Sequence, residues 1–331
     1  MTSEGKRILL YLAPMAGITD KVFRTLCFEQ GCDVATTEMI SAQGFMTAPR
    51  RSLTYKSLLD KDPREGTLIA QIFGHDPVYM GEAAARLSEM PRFAGIDINM
   101  GCPATKVVGS GSGSALMQNP ELAARVMEAV VRASRLPVTV KMRLGWDEKH
   151  ENARELALAA QDCGVTGVTV HGRTRLQQYS GRADWAAIGQ VKAAVHIPVV
   201  ANGDAVDGAS ALEMLRVTGC DGIAVGRAAL GNPWVFAEIR AALDGMPYTR
   251  PDYAARMQTA LRQAREMGEW KGDHGAVIEM RKHFGWYIAG QRGAAQLRTR
   301  INVAPTLSEV EALLKELGQI DDGVESRSPS A

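Results

Sequence analysis

Short apolar runs alternate with longer amphipathic runs along most of the chain, and this alternation constrains the fold more than any other feature. Eight apolar runs of six to eight residues occur. They cover residues 8–15, 33–39, 67–73, 95–100, 137–143, 167–172, 197–203 and 222–227. Strands this apolar have no face suited to water, which indicates parallel strands covered by helices. The pattern predicts an α/β protein, a closed (β/α)8 TIM barrel, with a doubly wound open sheet as the alternative.

The predicted barrel ends well before the chain does. A barrel of this class takes about 250 residues, and the eighth strand with its helix finishes near residue 245. Residues 251–318 have the pattern of amphipathic helices, and the last stretch, DDGVESRSPSA, is too polar to pack. We therefore expect a barrel domain over residues 1–245, a small helical domain over 246–320 and a disordered tail over 321–331.

Composition argues against several classes of protein. The 331 residues include 38 Lys and Arg and 37 Asp and Glu, a net charge of +1, so a nucleic acid would have to be bound by a local patch. The five cysteines are odd in number and nowhere spaced as CxxC, which argues against a disulfide framework or a zinc site and fits a reducing cytoplasm. No apolar run approaches the roughly 20 residues that span a bilayer. We expect no bound metal, no membrane or DNA partner and no obligate protein partner.

Mostly polar residues mark the carboxyl ends of the predicted strands. In chain order they are Met15, Glu38, Gln71, Asn99, Lys141, His171, Asn202, Gly226 and Arg227. In a barrel these ends converge on the face where active sites of this fold lie. One or two such residues would only mark where strands stop. A set that includes a lysine and a histidine directly after apolar β-branched runs indicates a functional site.

Two glycine-containing turns near the end of the barrel predict a phosphate site. ANGDA follows the seventh strand and VGRAALGNPW the eighth, and each leads from a glycine towards a helix. Backbone N–H groups at such turns, helped by the helix dipole and by Arg227, bind anions, so we expect a phosphorylated ligand. The stretch GSGSGS at 109–114 is neither a dinucleotide fingerprint nor a P-loop, and we expect it to be a mobile loop.

A series of motifs in unbroken order resembles those of a known family. The motifs are APMAGITDKVFR, TEMIS, AQIFG, INMGCPATKVV, GSALM, VTVKMRLGWD, TVHGRTRLQQYSG, VVANGD and GIAVGRAALGNPW. They resemble the tRNA-dihydrouridine synthases, most closely the bacterial B-type branch, from about residue 9 to residue 243, and RKHFGWY at 281–287 extends the resemblance. The resemblance implies an enzyme that uses FMN and NADPH to reduce the C5=C6 bond of specific uridines in tRNA to 5,6-dihydrouridine.

The resemblance also implies which residues hold FMN. Pro14, Met15 and Ala16 would line the flavin ring. Gln71 would hydrogen-bond the pyrimidine edge of the ring, and Lys141 would place a positive charge beside it. The ribityl chain and the phosphate would be held by His171, Asn202, Gly203, Asp204, Gly226 and Arg227. The residues themselves independently predict the phosphate end, whereas the identity of the cofactor rests on the resemblance.

Cys102 is the predicted general acid. Reduction of a uracil ring needs a hydride at C6 and a proton at C5, and the family's acid matches the cysteine of NMGCP. A free thiol is mostly protonated at neutral pH and can donate. We expect Asn99 either to orient the uracil or to brace the loop. The other cysteines are expected to be inert packing residues: Cys27, Cys32, Cys163 and Cys220.

A basic cluster indicates where tRNA would bind. Residues 250–300 contain ten basic and five acidic residues, a local net charge of +5. Basic side chains also follow the strand that ends at His171. Such residues contact phosphates and position the RNA. The predicted tRNA contacts are Arg143, Arg173, Arg175, Arg281, Lys282, Arg298 and Arg300.

Three other functions remain open from the residues alone. A barrel enzyme without flavin would use Lys141 to form a Schiff base with a sugar phosphate. An RNA-binding barrel without catalysis would not need the NMGCP cysteine. A flavin barrel that acts on a free pyrimidine or on dihydroorotate would not need an extended basic surface, so the basic helical segment favours tRNA.

Overall fold

Eight parallel strands close into a barrel in the computed structural model, which describes residues 7–49 and 52–325. The strands, including one short addition, are β1 Leu9–Leu12, β2 Val34–Thr36, β3 Ile40–Ser41, β4 Thr67–Phe73, β5 Gly95–Met100, β6 Val138–Arg143, β7 Gly167–His171, β8 Val199–Asn202 and β9 Gly222–Val225. Strand β1 pairs with both β2 and β9, and β2 pairs with β4, which closes the ring. The predicted (β/α)8 TIM barrel is therefore confirmed. The two-residue strand β3, which pairs with β4, was not predicted.

Helices follow the barrel strands and form the outer layer. In the barrel domain they are α1 Lys21–Glu29, α2 Ala42–Thr47, α3 Leu53–Leu58, α4 Pro77–Ser88, α5 Thr105–Gly109, α6 Pro120–Ala133, α7 Ala153–Asp162, α8 Trp185–Ala194, α9 Gly208–Thr218 and α10 Val235–Leu243. Two 3-10 helices cover Gly113–Gln118 and Arg227–Ala229. Strand β5 is buried along its whole length, and its polar residues Asp97 and Asn99 are buried with it.

Local sequence signals set where several helices begin and end. The Asp20 carboxylate accepts from the N–H of Phe23 and caps α1. Asp207 and Ser210 form a reciprocal capping box at the start of α9. That helix ends at Gly219, whose φ of 62° lies in the left-handed region that glycine adopts without strain. These signals place the short turns that carry the strand-end residues.

Four helices after the barrel pack into a second hydrophobic cluster. They are α11 Tyr253–Lys271, α12 Asp273–Tyr287, α13 Ala294–Val303 and α14 Leu307–Glu325. Val22 of α1 belongs to this second cluster, so the helical part packs directly on the barrel. Arg262 of α11 also pairs with Glu29 of α1 at 2.5 Å. The predicted boundary at residue 245 falls between α10 and α11.

The predicted tail over residues 321–331 needs a correction. Helix α14 continues to Glu325, so the first part of that stretch is helical, while residues 326–331 lie outside the described residues. Within the described ranges, no helix is both long and apolar enough to cross a membrane. The same ranges contain no group of three or more His, Cys, Asp or Glu side chains placed to bind a metal ion.

Candidate active site

A cavity of about 890 Å³ opens at the carboxyl ends of the barrel strands. Every residue predicted to hold the cofactor lines it: Pro14, Met15, Ala16, Gln71, Lys141, His171, Asn202, Gly203, Asp204, Gly226 and Arg227. Cys102, Asn99 and Arg143 line it as well. Glu38 is not among the lining residues; its carboxylate accepts a hydrogen bond from the N–H of Gly17 at 2.5 Å. The parallel strands thus bring together residues that are far apart in sequence.

The turn after β8 has the backbone of a specialised binding site. Gly203 has a φ of 118°, and a Cβ at this position would lie 2.9 Å from the Cβ of Ala183 and 3.0 Å from the His171 ring. Asp204 has a φ of 64°, which is uncommon for a residue with a side chain. Such strain persists where the surrounding contacts impose it and is common at ligand sites. The turn therefore fits the predicted phosphate site.

Partly buried hydrogen bonds of Asp204 explain how this turn is held. Its carboxylate accepts from the guanidinium of Arg173 at 2.7 Å and from the N–H of Ala183 at 2.7 Å. Arg227 approaches the same carboxylate at 3.7 Å. The Arg173 side chain is 2% exposed, whereas the Arg227 side chain is 50% exposed. Arg173 therefore anchors the turn, and Arg227 has room to bind a ligand.

The cavity carries an excess of positive charge. Asp204 is the one carboxylate among the described residues that line it. Burial, together with the charges of Lys141, Arg143, Arg173 and Arg227, lowers the pKa of His171 to about 2, so this imidazole is neutral. The site is therefore suited to an anionic ligand, and His171 offers such a ligand a neutral ring.

Lys141 and Asn202 form a fixed pair at the floor of the cavity. The Lys141 amine donates to the Asn202 side-chain oxygen at 2.9 Å. The Asn202 amide in turn donates to the Ala224 carbonyl at 2.7 Å, which fixes its orientation. Burial and the nearby Arg143 charge lower the pKa of Lys141 to about 8. Asn202 thus fixes the position of the Lys141 amine, and the remaining N–H donors of this amine are available to a ligand.

Hydrogen bonds hold both the N–H and the carbonyl groups of the backbone at Gly101 and Cys102. The N–H groups of Gly101 and Cys102 donate to the Asn99 side-chain oxygen at 3.2 and 2.9 Å. Arg143 donates to the Gly101 carbonyl at 2.8 Å, and the Ser114 hydroxyl donates to the Cys102 carbonyl at 2.9 Å. Asn99 thus holds the loop backbone, and its predicted role in orienting the uracil stays a prediction. The half-buried thiol lies on the cavity wall.

The glycine and serine stretch at 109–114 is not the mobile loop that its composition predicts. It connects α5 to the 3-10 helix that starts at Gly113. Gly113 has a φ of 62°, and a Cβ there would lie 2.9 Å from the Cys102 carbonyl oxygen. The Ser110 hydroxyl donates to Ser112 at 3.1 Å. Gly113 is small because the backbone there packs tightly against Cys102, which the composition alone does not reveal.

Tyr179 is a cavity residue that the sequence analysis missed. The Arg227 guanidinium lies over its ring, 4.5 Å from the ring centroid. The Arg143 guanidinium lies 5.8 Å from the same centroid. It lines the cavity and stays 52% exposed. An aromatic ring held beside two arginines offers a surface for a flat ligand. The signal was an aromatic residue inside the basic run RTRLQQYSGR, after a strand end.

Two of the predicted tRNA contacts near the barrel are buried. The Arg173 side chain is 2% exposed and pairs with the Asp204 carboxylate at 2.7 Å. Arg143 is 3% exposed and donates to loop carbonyls, including that of Thr174 at 2.9 Å, so it shapes the cavity wall. Arg175 lies over the Trp146 ring at 4.6 Å from the ring centroid. Arg143 and Arg173 both donate to carbonyls of the loop after β7, and a count of charges cannot separate this use from RNA binding.

Charge pairing also reduces the basic cluster of the helical domain. Half of its ten basic residues form ion pairs with acids: Arg250 with Glu238, Arg262 with Glu29, Arg265 with Glu311, Lys271 with Glu279 and Arg300 with Glu316. Four of these acids lie outside the segment counted. Arg281 is partly buried and donates to the Ala304 carbonyl at 3.3 Å. The exposed Arg298 forms no ion pair within the described residues.

Lys282 links the helical domain to the cavity. Its amine donates to the Gly17 carbonyl, in the loop of residues 14–18 that follows β1 and lines the cavity. Glu38 holds the N–H of the same glycine, whose φ is 73°. The helical domain thus contacts a loop predicted to lie against the flavin ring.

Comparisons with known proteins agree with this geometry. The family model described as Dihydrouridine synthase matches residues 11–320. The tRNA-dihydrouridine synthase B of Xanthomonas axonopodis is 43% identical over 308 residues, which cover 92% of this chain and 91% of that protein. The probable tRNA-dihydrouridine synthase of Rhodobacter capsulatus is 44% identical over 306 residues, 92% of this chain and 93% of that protein. Its counterpart in Rickettsia conorii is 42% identical over 295 residues, 89% and 88% of the two chains.

Proposed function

The chain belongs to the dihydrouridine synthase family, and we propose that it reduces the C5=C6 bond of uridines in tRNA with bound FMN and with NADPH as the electron source. One observation carries the proposal: a cationic cavity at the strand ends has the Cys102 thiol on its wall, and hydrogen bonds hold the backbone of this cysteine. The cations account for a phosphorylated cofactor, and the thiol accounts for a proton donor. A cytoplasmic location fits both this substrate and the free cysteines.

The residues present fit a flavin phosphate. The strained turn at Gly203 and Asp204 and the turn at Gly226 would face the phosphate, and the half-exposed Arg227 would pair with it. His171 is neutral and would donate a hydrogen bond rather than a charge. At the other end of the site, residues 14–16 and Gln71 would contact the ring.

Lys141 would supply the charge beside the ring. A pKa of about 8 leaves most of the amine protonated at neutral pH, and a bound anionic group would raise that pKa further. Asn202 holds the amine in place, so little reorganisation is needed when negative charge develops next to it. This placement favours the anionic reduced ring.

Cys102 would act as the general acid. When bound, FMN supplies the hydride that is added to C6 of the uracil. The protein must then protonate C5, and Cys102 is the thiol on the cavity wall. Four side-chain hydrogen bonds hold the backbone of Gly101 and Cys102, so the backbone that carries the thiol is fixed before the substrate enters. Tyr179 offers a flat surface at the mouth of the same cavity.

The tRNA would lie across the cavity mouth and the helical domain. Lys282 and Arg298 are exposed there, and Lys282 touches the loop that lines the cavity. A small pyrimidine substrate would need neither residue. Exposed cations outside the cavity therefore favour tRNA over the free base or dihydroorotate.

A reconstitution experiment tests the whole proposal. The purified protein, loaded with FMN, is incubated with an unmodified tRNA transcript and either NADPH or NADH, and dihydrouridine is mapped position by position by mass spectrometry. We expect a flavin absorption spectrum and dihydrouridine at defined positions, faster with NADPH. Protein that gains no flavin spectrum with added FMN, or that reduces free uracil and leaves tRNA unchanged, would contradict the proposal.

A further inference from the structure

A row of buried hydrogen bonds runs from the barrel interior to the backbone of Cys102. The Asp97 carboxylate accepts from the Thr139 hydroxyl at 2.6 Å and from the Gln71 amide at 2.7 Å. The Gln71 side-chain oxygen accepts from the Asn99 amide at 2.9 Å. The Asn99 side-chain oxygen accepts from the Cys102 N–H at 2.9 Å. Register places these residues side by side, because Asp97 lies opposite Gln71 on one side and Thr139 on the other.

The two ends of this row fix its direction. A side-chain amide can present either its oxygen or its NH2 group to a neighbour, so Gln71 and Asn99 alone could be turned either way. An ionised carboxylate only accepts, and a backbone N–H only donates. With Asp97 at one end and the Cys102 N–H at the other, a single orientation of both amides satisfies every bond.

Burial of the Asp97 carboxylate costs free energy, which indicates that this residue has a specific role. The side chain is 4% exposed, and that burial raises its pKa, while the hydrogen bonds from Thr139 and Gln71 and the charge of Lys141 favour the ionised form. An apolar residue would pack a barrel interior at lower cost. A buried acceptor-only group is useful where hydrogen-bond direction must be fixed.

We propose that Asp97 is a positioning residue that acts on the Cys102 loop through the amides of Gln71 and Asn99. By accepting from Gln71, the carboxylate keeps the Asn99 oxygen turned towards the N–H groups of Gly101 and Cys102. If the row were reversed, Asn99 would present its NH2 group to those N–H groups, and the loop would lose the two hydrogen bonds that Asn99 accepts. The effect on the loop stands on geometry alone, whereas its consequence for proton donation rests on the proposed function.

The arrangement predicts a specific non-additive result for two nearly isosteric substitutions. In Asp97→Asn, the new amide can still accept from Gln71 if its NH2 group donates to the Thr139 oxygen, so most molecules keep the row's direction. In Thr139→Val, the carboxylate still accepts from Gln71. In the double variant, the NH2 group of the new amide has no acceptor at position 139, so the row keeps its direction only with that group unpaired, and position 97 no longer holds Gln71 in the native orientation.

Amide hydrogen exchange on the flavin-free protein measures the loop directly. Mass spectrometry on peptides spanning residues 98–103 should show exchange within about 3-fold of wild type for each single variant and at least about 10-fold faster for the double variant. An exchange rate in the double variant that equals the product of the two single effects, or that equals the wild-type rate, would overturn the proposal. Thermal unfolding of all three variants confirms that the fold is kept.

A second variant keeps the test decisive if the double variant does not fold. The variant that combines Asp97→Asn with Thr139→Asp has its carboxylate at position 139 instead of position 97. This carboxylate accepts from the NH2 group of the new amide at position 97 and so fixes the direction of that amide. Loop exchange should then return from the Asp97→Asn value to the wild-type value. Exchange slower in Asp97→Asn than in this rescue variant would contradict the proposal.

Uridine reduction is measured in parallel to separate this inference from the proposed function. We expect the double variant to reduce uridine in tRNA at least about 10-fold more slowly than the product of the single effects predicts. Synergy in exchange without synergy in uridine reduction would support the positioning role and contradict Cys102 as the proton donor. Synergy in uridine reduction with wild-type exchange would contradict positioning of the loop.

Discussion

At the scale of single residues, chemically similar side chains have separate uses that only burial distinguishes. Arg173 and Arg227 both face Asp204, at 2.7 and 3.7 Å. Arg173 is buried and has its guanidinium occupied by Asp204 and by the carbonyls of Ser180 and Gly181. Arg227 is half-exposed on the cavity side. The first stabilises the turn, and the second is the charge that a phosphate would meet.

Arg227→Ala should leave the purified protein poor in flavin. A charge-assisted hydrogen bond to phosphate contributes roughly 1.5 to 3 kcal/mol, so the FMN dissociation constant should rise about 10- to 100-fold. Fluorescence titration of the flavin-free protein with FMN gives this constant. Arg216→Ala is the matched control, because Arg216 pairs with Glu213 on α9 and does not line the cavity. Wild-type affinity in Arg227→Ala would remove this residue from the phosphate site.

At the scale of elements, the strands were predictable and the loops were not. Uniformly apolar runs specify buried parallel strands, so all eight barrel strands and the strand-end residues from Gln71 to Arg227 could be placed from sequence. The segment at 109–114 could not, because glycine composition does not say whether a backbone is free or tightly packed against a neighbour such as Cys102. Tyr179 could not be predicted as a cavity residue for a related reason, because its position depends on a long loop that folds back over the cavity.

The contact between α1 and α12 predicts sensitivity to acid. His283 of α12 is 1% exposed, with its ring 5.6 Å from that of Phe23 in α1 and its Nδ1 3.2 Å from the Gln263 amide. Burial and the charges of Lys282 and Lys271 lower the pKa of His283 to about 3. Between pH 6.5 and 3 the unfolded chain therefore binds a proton that the folded chain does not, and stability falls as the pH falls.

His283→Gln should remove much of this pH dependence. From about pH 7.5 to about pH 5, the wild type should lose up to about 2 kcal/mol more of its free energy of unfolding than the variant, although the variant is less stable at both values. Urea unfolding at the two pH values measures the difference. His196→Gln, at an exposed position, should behave as the wild type. Equal acid losses in His283→Gln and the wild type would show that this histidine is not the sensor.

At the scale of the whole molecule, charge pairing decides what surface remains for RNA. The net charge of +1 gives no long-range attraction, and ion pairs with Glu29, Glu238, Glu311 and Glu316 neutralise much of the basic helical segment. These pairs join residues distant in sequence, so a count along the chain overestimates the basic patch. The exposed cations near Gly17 and on α13 are left to meet phosphates.

Arg298→Ala and Arg300→Ala should differ in their effect on tRNA binding. Arg298 has no ion pair within the described ranges, so its loss should lower the slope of log affinity against log salt concentration by about one unit. Arg300 pairs with Glu316 at 2.6 Å, and its loss should change the slope by less than about half a unit. Filter binding of tRNA from low to moderate salt gives both slopes. A larger effect for Arg300 would contradict this assignment of the surface.

The most direct test of the account is flavin reoxidation by tRNA in Cys102→Ala. Because the role proposed for the thiol is proton donation to the uracil, and not FMN binding or hydride acceptance from NADPH, the variant should be reduced at the wild-type rate. Stopped-flow absorbance after mixing the reduced protein with unmodified tRNA should then show reoxidation slower by roughly 10² to 10⁴, the usual contribution of a positioned general acid. Reoxidation of the alanine variant at the wild-type rate would contradict the assignment of Cys102 as the proton donor.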